Sequence, residues 1–236
     1  MQVVQAYLKK RGITDPWEID LKADKKFHQA VVIPAYGEAE LLPHTLTSLD
    51  NNDALILKDT LVIVVINNAV HSVESILKNN QTTLNNLKSS QYNYTLGVVD
   101  ATSSEFELPD KQAGVGLARK IGMDLSLPHL SSSESLIFCT DADTIVSKNY
   151  IEKVLTYFDT NRVQAAVVGF RHLESNDKKQ EEAIRQYEIY LLTTAEKMRA
   201  TGSPYGYVSM GSTMVCTVKA YCAVGGMPRK KATEDF

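Results

Sequence analysis

The sequence predicts an α/β fold in which a mainly parallel central sheet is covered by helices on both faces, three layers in all. Three observations point there. Apolar, β-branched runs alternate with helix-spaced apolar residues from 30 to 170, the signature of a parallel sheet wound with crossover helices. The run "DTLVIVVIN" is apolar without alternation, which suits a strand buried on both faces. Each strand-like run then gives way to a polar segment, "PAYGE", "NNA", "DAT" and "TDADT", and in an open parallel sheet such exits converge on one edge.

In chain order, "QAVVIPAYGE" opens with the β-branched run Val31 to Ile33 and is expected to stop at Pro34, which lacks the N–H a strand interior needs. Leu41, Leu42, Leu46 and Leu49 follow at helical spacing. After the apolar strand, Val73, Ile76, Leu77, Leu84 and Leu87 mark a helix that the asparagine-rich "KNN" is expected to break in two. "YTLGVVD" is a third strand, and Val115, Ala118, Ile121 and Leu125 place a helix over 115–125. "SLIFCTDAD" is a fourth strand, with Ile151, Val154, Leu155 and Phe158 on the helix after it, and "QAAVVGF" is a fifth. Residues 176–198 then form a long amphipathic helix, capped by Asn176 or Asp177, with Ile184, Tyr187, Leu191, Thr194, Ala195 and Met198 on one stripe. A glycine-, serine- and tyrosine-rich loop leads to a short strand and a brief helix ended by two glycines. No linker or repeat divides the chain, so residues 1–236 are expected to form one domain.

Composition narrows the function classes. The 236 residues are 44% apolar and 22% charged, ordinary for a soluble globular chain long enough to bury a full core. The formal charge is -3 and the basic runs are short and separated, which argues against a nucleic-acid partner. Cys139, Cys216 and Cys222 are odd in number and set among apolar neighbours, which suits packed, reduced thiols in a cytoplasmic protein rather than a disulfide framework or zinc site. The longest apolar run, "LVIVVI", is strand-sized, so no transmembrane segment is expected, and the amino terminus lacks the pattern of a secretory signal.

The chemistry concentrates at the strand exits. Asp141 and Asp143 leave the fourth strand on either side of Ala142. On an extended backbone residues i and i+2 face the same way, so the two carboxylates are expected to converge, and like charges that close favour a cation between them. Mg²⁺ and Mn²⁺ take carboxylate oxygens while keeping positions for phosphate or water. An Asp-x-Asp by itself is equally a capped turn; its place directly after a buried strand favours the metal. "GVGLAR" lacks the third glycine and the preceding strand of a dinucleotide loop. It reads instead as a helix start whose free N–H groups, with Lys111 and Arg119, attract an anion.

Taken together, "VVIPAYGEAELLPHTLTSL", "GVGLARKIGMD", "CTDADT", "VGGM" and "ATEDF" resemble the family 2 glycosyltransferases of the GT-A fold, five motifs in the family's order over about residues 30 to 236. The resemblance implies a three-layer α/β/α, GT-A-type, Rossmann-like fold. Residues 30–170 would be the nucleotide-sugar-binding core. Residues 171–236 would be an acceptor-side lobe that ends short of the segments with which the family completes its acceptor pocket. The resemblance also implies that Pro34, Ala35, Tyr36 and Glu38 cradle the nucleotide base, with the Tyr36 ring available for stacking. Arg119, aided by Lys111, would meet the diphosphate. Asp143 would be the main ligand of Mn²⁺ or Mg²⁺, with Asp141 on ribose or metal, and Asp235 beside Glu234 would be the catalytic base.

The implied reaction is metal-dependent, inverting transfer of a sugar from a nucleoside-diphosphate sugar to a saccharide or other hydroxyl acceptor. Where the family has Asp-Asp-Gly-Ser after the second strand, this chain has Asn67, Asn68, Ala69 and Val70, so the residue expected to read the base is an amide and the pattern does not specify uridine. Two other readings remain. A sugar-phosphate nucleotidyltransferase has a related sheet and acidic metal site, but opens with a glycine- and arginine-rich loop that "PAYGEAE" is not. A nucleotide-sugar-binding protein with an incomplete catalytic pocket is kept open by the Asn67–Asn68 pair.

Overall fold

The computed structural model describes residues 2–13 and 15–230. Its strands are β1 (Asp20–Leu21), β2 (Gln29–Ala35), β3 (Thr60–Asn67), β4 (Thr95–Ala101), β5 (Leu136–Cys139), β6 (Ala165–Val167) and β7 (Met214–Thr217). Its helices are α1 (Gln2–Arg11), α2 (Leu42–Asp50), α3 (Ala54–Lys58), α4 (Glu74–Ser89), α5 (Val115–Ser126), α6 (Tyr150–Asn161), α7 (Lys178–Ala200) and α8 (Val218–Val224). One mixed sheet runs β1-β4-β3-β2-β5-β7-β6. The ladders joining β4, β3, β2 and β5 are parallel, and those of β1–β4, β5–β7 and β7–β6 antiparallel. This is the α/β architecture with a mostly parallel sheet that the strand and helix order predicts.

Alternation along the central strands splits the core in two. Val31, Ile33, Val62 and Val64 pack beneath α2, α3, α4 and α6. Val32, Ile63 and Val65 pack beneath α1, α5 and α8. Every residue of β2 and β3 is buried, as the unbroken apolar run requires.

Pro34 does not end its strand. It pairs with Val65 of β3, and β2 continues to Ala35. The reason is the neighbour on the other side. The Val32 carbonyl accepts from Thr140 N on the β5 side, so Pro34, two residues on, turns its nitrogen the same way, and β5 has by then ended at Cys139. The missing N–H therefore costs the ladder nothing.

"KNN" does not break its helix either: α4 is continuous from Glu74 to Ser89. Asn80 lies between Ile76 and Leu84 on the inward face, is buried, and finds its partners in the strand exits below. The fifth strand, β6, is only three residues long and forms the sheet edge. Between it and β5 lies β7, contributed by a segment far along the chain.

The α7 stripe is not a core stripe. Asp177 caps the helix by accepting from Lys179 N and Gln180 N, but of the stripe only Ala195 is buried; Ile184 and Leu191 are half-buried, and Tyr187, Thr194 and Met198 are exposed, as are Ile189, Tyr190 and Leu192 off it. Among the described residues no helix is long and apolar enough to cross a membrane.

Helix α1, which the composition of the amino terminus did not foreshadow, is fixed by a buried polar cluster. Asp124 of α5 is fully buried and accepts from Tyr7 Oη at 2.8 Å, Tyr221 Oη at 2.7 Å, Ile13 N at 2.8 Å and Lys120 Nζ at 3.0 Å. Lys120 Nζ also donates to Tyr7 Oη at 2.6 Å. One carboxylate thus ties α1, α5 and α8 together, and burial beside it pushes both phenols upward from their ordinary value. Gly226 packs so close to the Tyr7 hydroxyl that any Cβ there would overlap it.

Candidate active site

Strand order reverses at β2. The chain steps from β2 to β3 and β4 on one side, then returns to lay β5 on the other. In an open sheet the crevice at the carboxyl ends of such strands is where ligands bind.

On the β2 side the Tyr36–Ala39 turn leaves the strand. Gly37 has φ of +73°, a conformation open to glycine, and a Cβ there would meet Ile76 Cδ1 at 2.7 Å. Tyr36 is 49% exposed, so its ring face is presented to solvent rather than to the core. Asn67 closes β3 beside it, since Ala35 pairs with Ile66 and the next residue on each strand is Tyr36 and Asn67. Asn67 is buried and its Oδ1 has no hydrogen-bond partner among the described residues. A buried acceptor left unmatched is uncommon, and it is satisfied by a donor from outside the chain, water or ligand.

On the β5 side the paired acids sit differently from the strand geometry expected of them. β5 ends at Cys139, and Asp141 to Thr144 is a turn closed by Thr144 N donating to the Asp141 carbonyl at 3.2 Å. Ala142 between the acids is buried, and its carbonyl accepts from Thr45 Oγ1 of α2 at 2.7 Å. Asp143 is exposed and Asp141 half-buried. Both are near enough to Glu38, in the Tyr36 turn, to raise its carboxyl above the usual value, after the larger effect of its own burial. Glu38, Asp141 and Asp143 therefore form one negative field across the crevice.

Arg119 supplies the opposing charge. It stands one turn into α5, is buried, and its Nη2 lies 2.5 Å from Asp141 Oδ1. Gly211 packs against the guanidinium where any Cβ would overlap it, so this small residue makes room for the cation. Lys111 is exposed on the loop before α5. Glu234 and Asp235, the expected catalytic pair, lie outside the described residues.

Sequence reasoning thus named Pro34, Ala35, Tyr36, Glu38, Asn67, Arg119, Asp141 and Asp143, and the structure gathers them around the switch point. It missed what holds them. Asn79 Oδ1 accepts from Ala39 N at 2.9 Å, and Asn80 joins the Tyr36 turn to the β3 exit. The available signal was Asn80's position: four residues after Ile76 and four before Leu84, it continues the inward spacing, and a polar side chain there must find partners.

Among the described residues no cluster of three or more acidic, histidine or cysteine side chains is arranged as a closed metal cage. An open site fits instead: Mg²⁺ and Mn²⁺ commonly bind one or two carboxylates and complete their shell with substrate phosphates and water. Asp143, exposed at the crevice, and Asp141 beside it have that character.

Comparison with known proteins is consistent with this geometry. The sequence profile described as Glycosyltransferase like family 2 matches residues 28–236. No curated protein sequence matches the chain. Among solved structures, Staphylococcus aureus TarS 1-349 in complex with UDP-GlcNAc is similar with a TM-score of 0.55 and 16% identity, over 89% of this chain and 51% of that one. The mannosyltransferase PcManGT from Pyrobaculum calidifontis, in complex with GDP-Man and Mn²⁺, gives 0.51 and 15%, over 98% of this chain and 55% of that one. The chain thus spans about half the length of these solved proteins. At such identities the likeness is one of fold.

Proposed function

The chain belongs to the Glycosyltransferase like family 2, and from that premise we propose that it transfers a sugar from a nucleoside-diphosphate sugar to a hydroxyl acceptor, inverting the anomeric carbon with the aid of a divalent metal. The observation that supports this most is the pairing across the β2–β5 crevice of a solvent-facing aromatic turn with an acid turn that carries its own arginine. Those are complementary needs of one ligand, a base at one end and a diphosphate at the other.

In this reading Tyr36 stacks on the base and Asn67 offers its unmatched Oδ1 to a base N–H. Arg119 and Lys111 stabilise the charge that develops on the departing diphosphate. Asp143, with Asp141, would hold Mn²⁺ or Mg²⁺, which supplies further positive charge at that leaving group. The acceptor oxygen forms its bond to the anomeric carbon as the bond to the diphosphate breaks on the opposite face, and the acceptor's proton passes to Asp235. TarS and PcManGT were solved with UDP-GlcNAc and with GDP-Man and Mn²⁺, which makes these two donors the first probes.

The test is calorimetric binding of UDP and GDP with Mn²⁺ and with chelator, together with release of nucleotide from the two donors. At least a tenfold affinity gain from Mn²⁺ is expected in the parent protein. Asp143→Ala should lose that gain, and Asp235→Asn should bind normally yet release no nucleotide. Equal affinity with metal and with chelator, in the parent protein, would refute the metal-dependent mechanism.

A further inference from the structure

Helix α4 lies on the sheet face opposite α5, yet it reaches through to the strand exits. Asn80 is 1% exposed. Its Nδ2 donates to the Asn67 carbonyl at 3.0 Å and to Asn68 Oδ1 at 3.1 Å, with Thr102 Oγ1 at 3.5 Å, and its Oδ1 accepts from Gly37 N at 2.9 Å. A single amide therefore ties together the ends of β2, β3 and β4. Asn79 beside it takes Ala39 N, so the turn that carries Tyr36 is held at Gly37 and again at Ala39, and Ile76 fills the space left by Gly37.

Two features make this more than a helix packed on a sheet. Among the described residues, the side-chain hydrogen bonds of the pair go to the strand exits and to the turn that follows β2. The residues so tied, Tyr36 and Asn67, are the exposed ring and the buried, unmatched acceptor that emerge side by side. An asparagine amide suits this task because it donates and accepts through one rigid plane; aspartate keeps the acceptor for Gly37 N but sets an anion against the Asn67 carbonyl and Asn68 Oδ1.

We propose that Asn80, supported by Asn79, is a positioning residue for the donor's base: it sets the separation of the Tyr36 ring from the Asn67 amide, and so determines which nucleobase the crevice accepts. The inference rests on the reading that the crevice binds a nucleoside diphosphate. Asn80 touches no ligand in this scheme. Its influence is confined to the base end, while Arg119 and the acid turn, held by other elements, serve the diphosphate end.

The test measures Mn²⁺-supported affinity for UDP, GDP and pyrophosphate in the parent protein, in Asn80→Ala and Asn80→Asp, and in Leu84→Ala. Leu84 is a buried apolar residue one turn further along α4 and serves as a control for simple destabilisation. Both Asn80 variants should lose at least tenfold in affinity for the preferred nucleotide, the UDP-to-GDP ratio should move toward one, and pyrophosphate affinity should stay within about twofold of the parent. Leu84→Ala should lower the melting temperature and leave the ratio unchanged. Losses that are equal for all three ligands, an unchanged UDP-to-GDP ratio in the Asn80 variants, or the same change of ratio in Leu84→Ala would overturn the proposal while leaving nucleotide binding intact. A parent protein that binds neither nucleotide would overturn the underlying reading and this inference with it.

Discussion

Replacing Asp124 by asparagine keeps the side-chain shape while removing the charge and turning one acceptor oxygen into a donor, so its effect reports what the carboxylate contributes to the buried cluster. In the parent structure the carboxylate faces four donors at 2.7 to 3.0 Å and no water-exposed surface. After the change, Lys120 is left buried without its anion, and the new NH₂ group confronts donors it cannot accept from. Breaking one partner of a buried ion pair costs about 3–5 kcal/mol. For a chain of this length each kcal/mol lowers the melting temperature by roughly 2–4 °C, so Asp124→Asn should melt about 10 °C below the parent. Differential scanning calorimetry, with a urea titration as a second probe, measures this. Adding Lys120→Met to Asp124→Asn should recover part of the loss, because the stranded cation is removed while the amide oxygen still accepts from the donors around it. A loss under about 1 kcal/mol for Asp124→Asn would show that Tyr7, Tyr221 and Lys120 are held by packing alone, and the electrostatic account would fall.

Two further outcomes follow from single contacts. In Gly211→Ala the new Cβ overlaps the Arg119 guanidinium, and the response that costs least is for that flexible end to swing away. Because that movement loosens the part-buried ion pair with Asp141, the melting temperature should fall by a few degrees, and affinity for a nucleoside diphosphate should fall about tenfold by calorimetry, roughly the 1.4 kcal/mol expected of one charge-assisted contact; full retention of affinity would remove Arg119 from the diphosphate site. Glu188 accepts from His172 N at 2.6 Å, and that bond, with the His172 ring and Arg185, holds its carboxyl down to about 2 from 4.5. A depressed acid contributes stability above its unfolded value and loses it as pH falls through the folded one. The gap in urea midpoint between the parent and Glu188→Gln should thus be complete at pH 7, shrink below pH 4.5 and close near pH 2; a gap that widens on acidification would contradict the assignment.

What the sequence made legible, and what it did not, follows from the kind of signal involved. The buried strands announce themselves because burial on both faces demands apolar residues at every position, as in Thr60 to Asn67. The crevice residues were legible as motifs, and the topology explains why they meet: their strands lie on either side of one reversal of order. Errors came where local preference was overruled from a distance. Pro34 reads as a stop, but whether a missing N–H matters depends on where β5 ends. Asn79 and Asn80 read as breakers, yet the strand exits supply the partners that make them favourable inside a helix. Asp124, in a stretch otherwise spaced for a core, gives no hint that its partners are Tyr7 and Tyr221, more than ninety residues away on either side. The exposed side of α7 shows the converse limit: helical spacing of apolar residues establishes a stripe but not what lies against it.

The insertion of β7 between β5 and β6 bears on how the molecule comes into being. While a nascent chain leaves the ribosome, Leu136 to Cys139 can find β2 early, but its opposite flank waits for Met214 to Thr217. Through that interval the middle of the future sheet is an apolar rim with bare amide and carbonyl groups, the kind of surface that recruits a neighbouring polypeptide. Docking of the late segment, locked by Val218 N on the Ser135 carbonyl and Lys219 N on that of Ser133, is the stitch that ends this exposure.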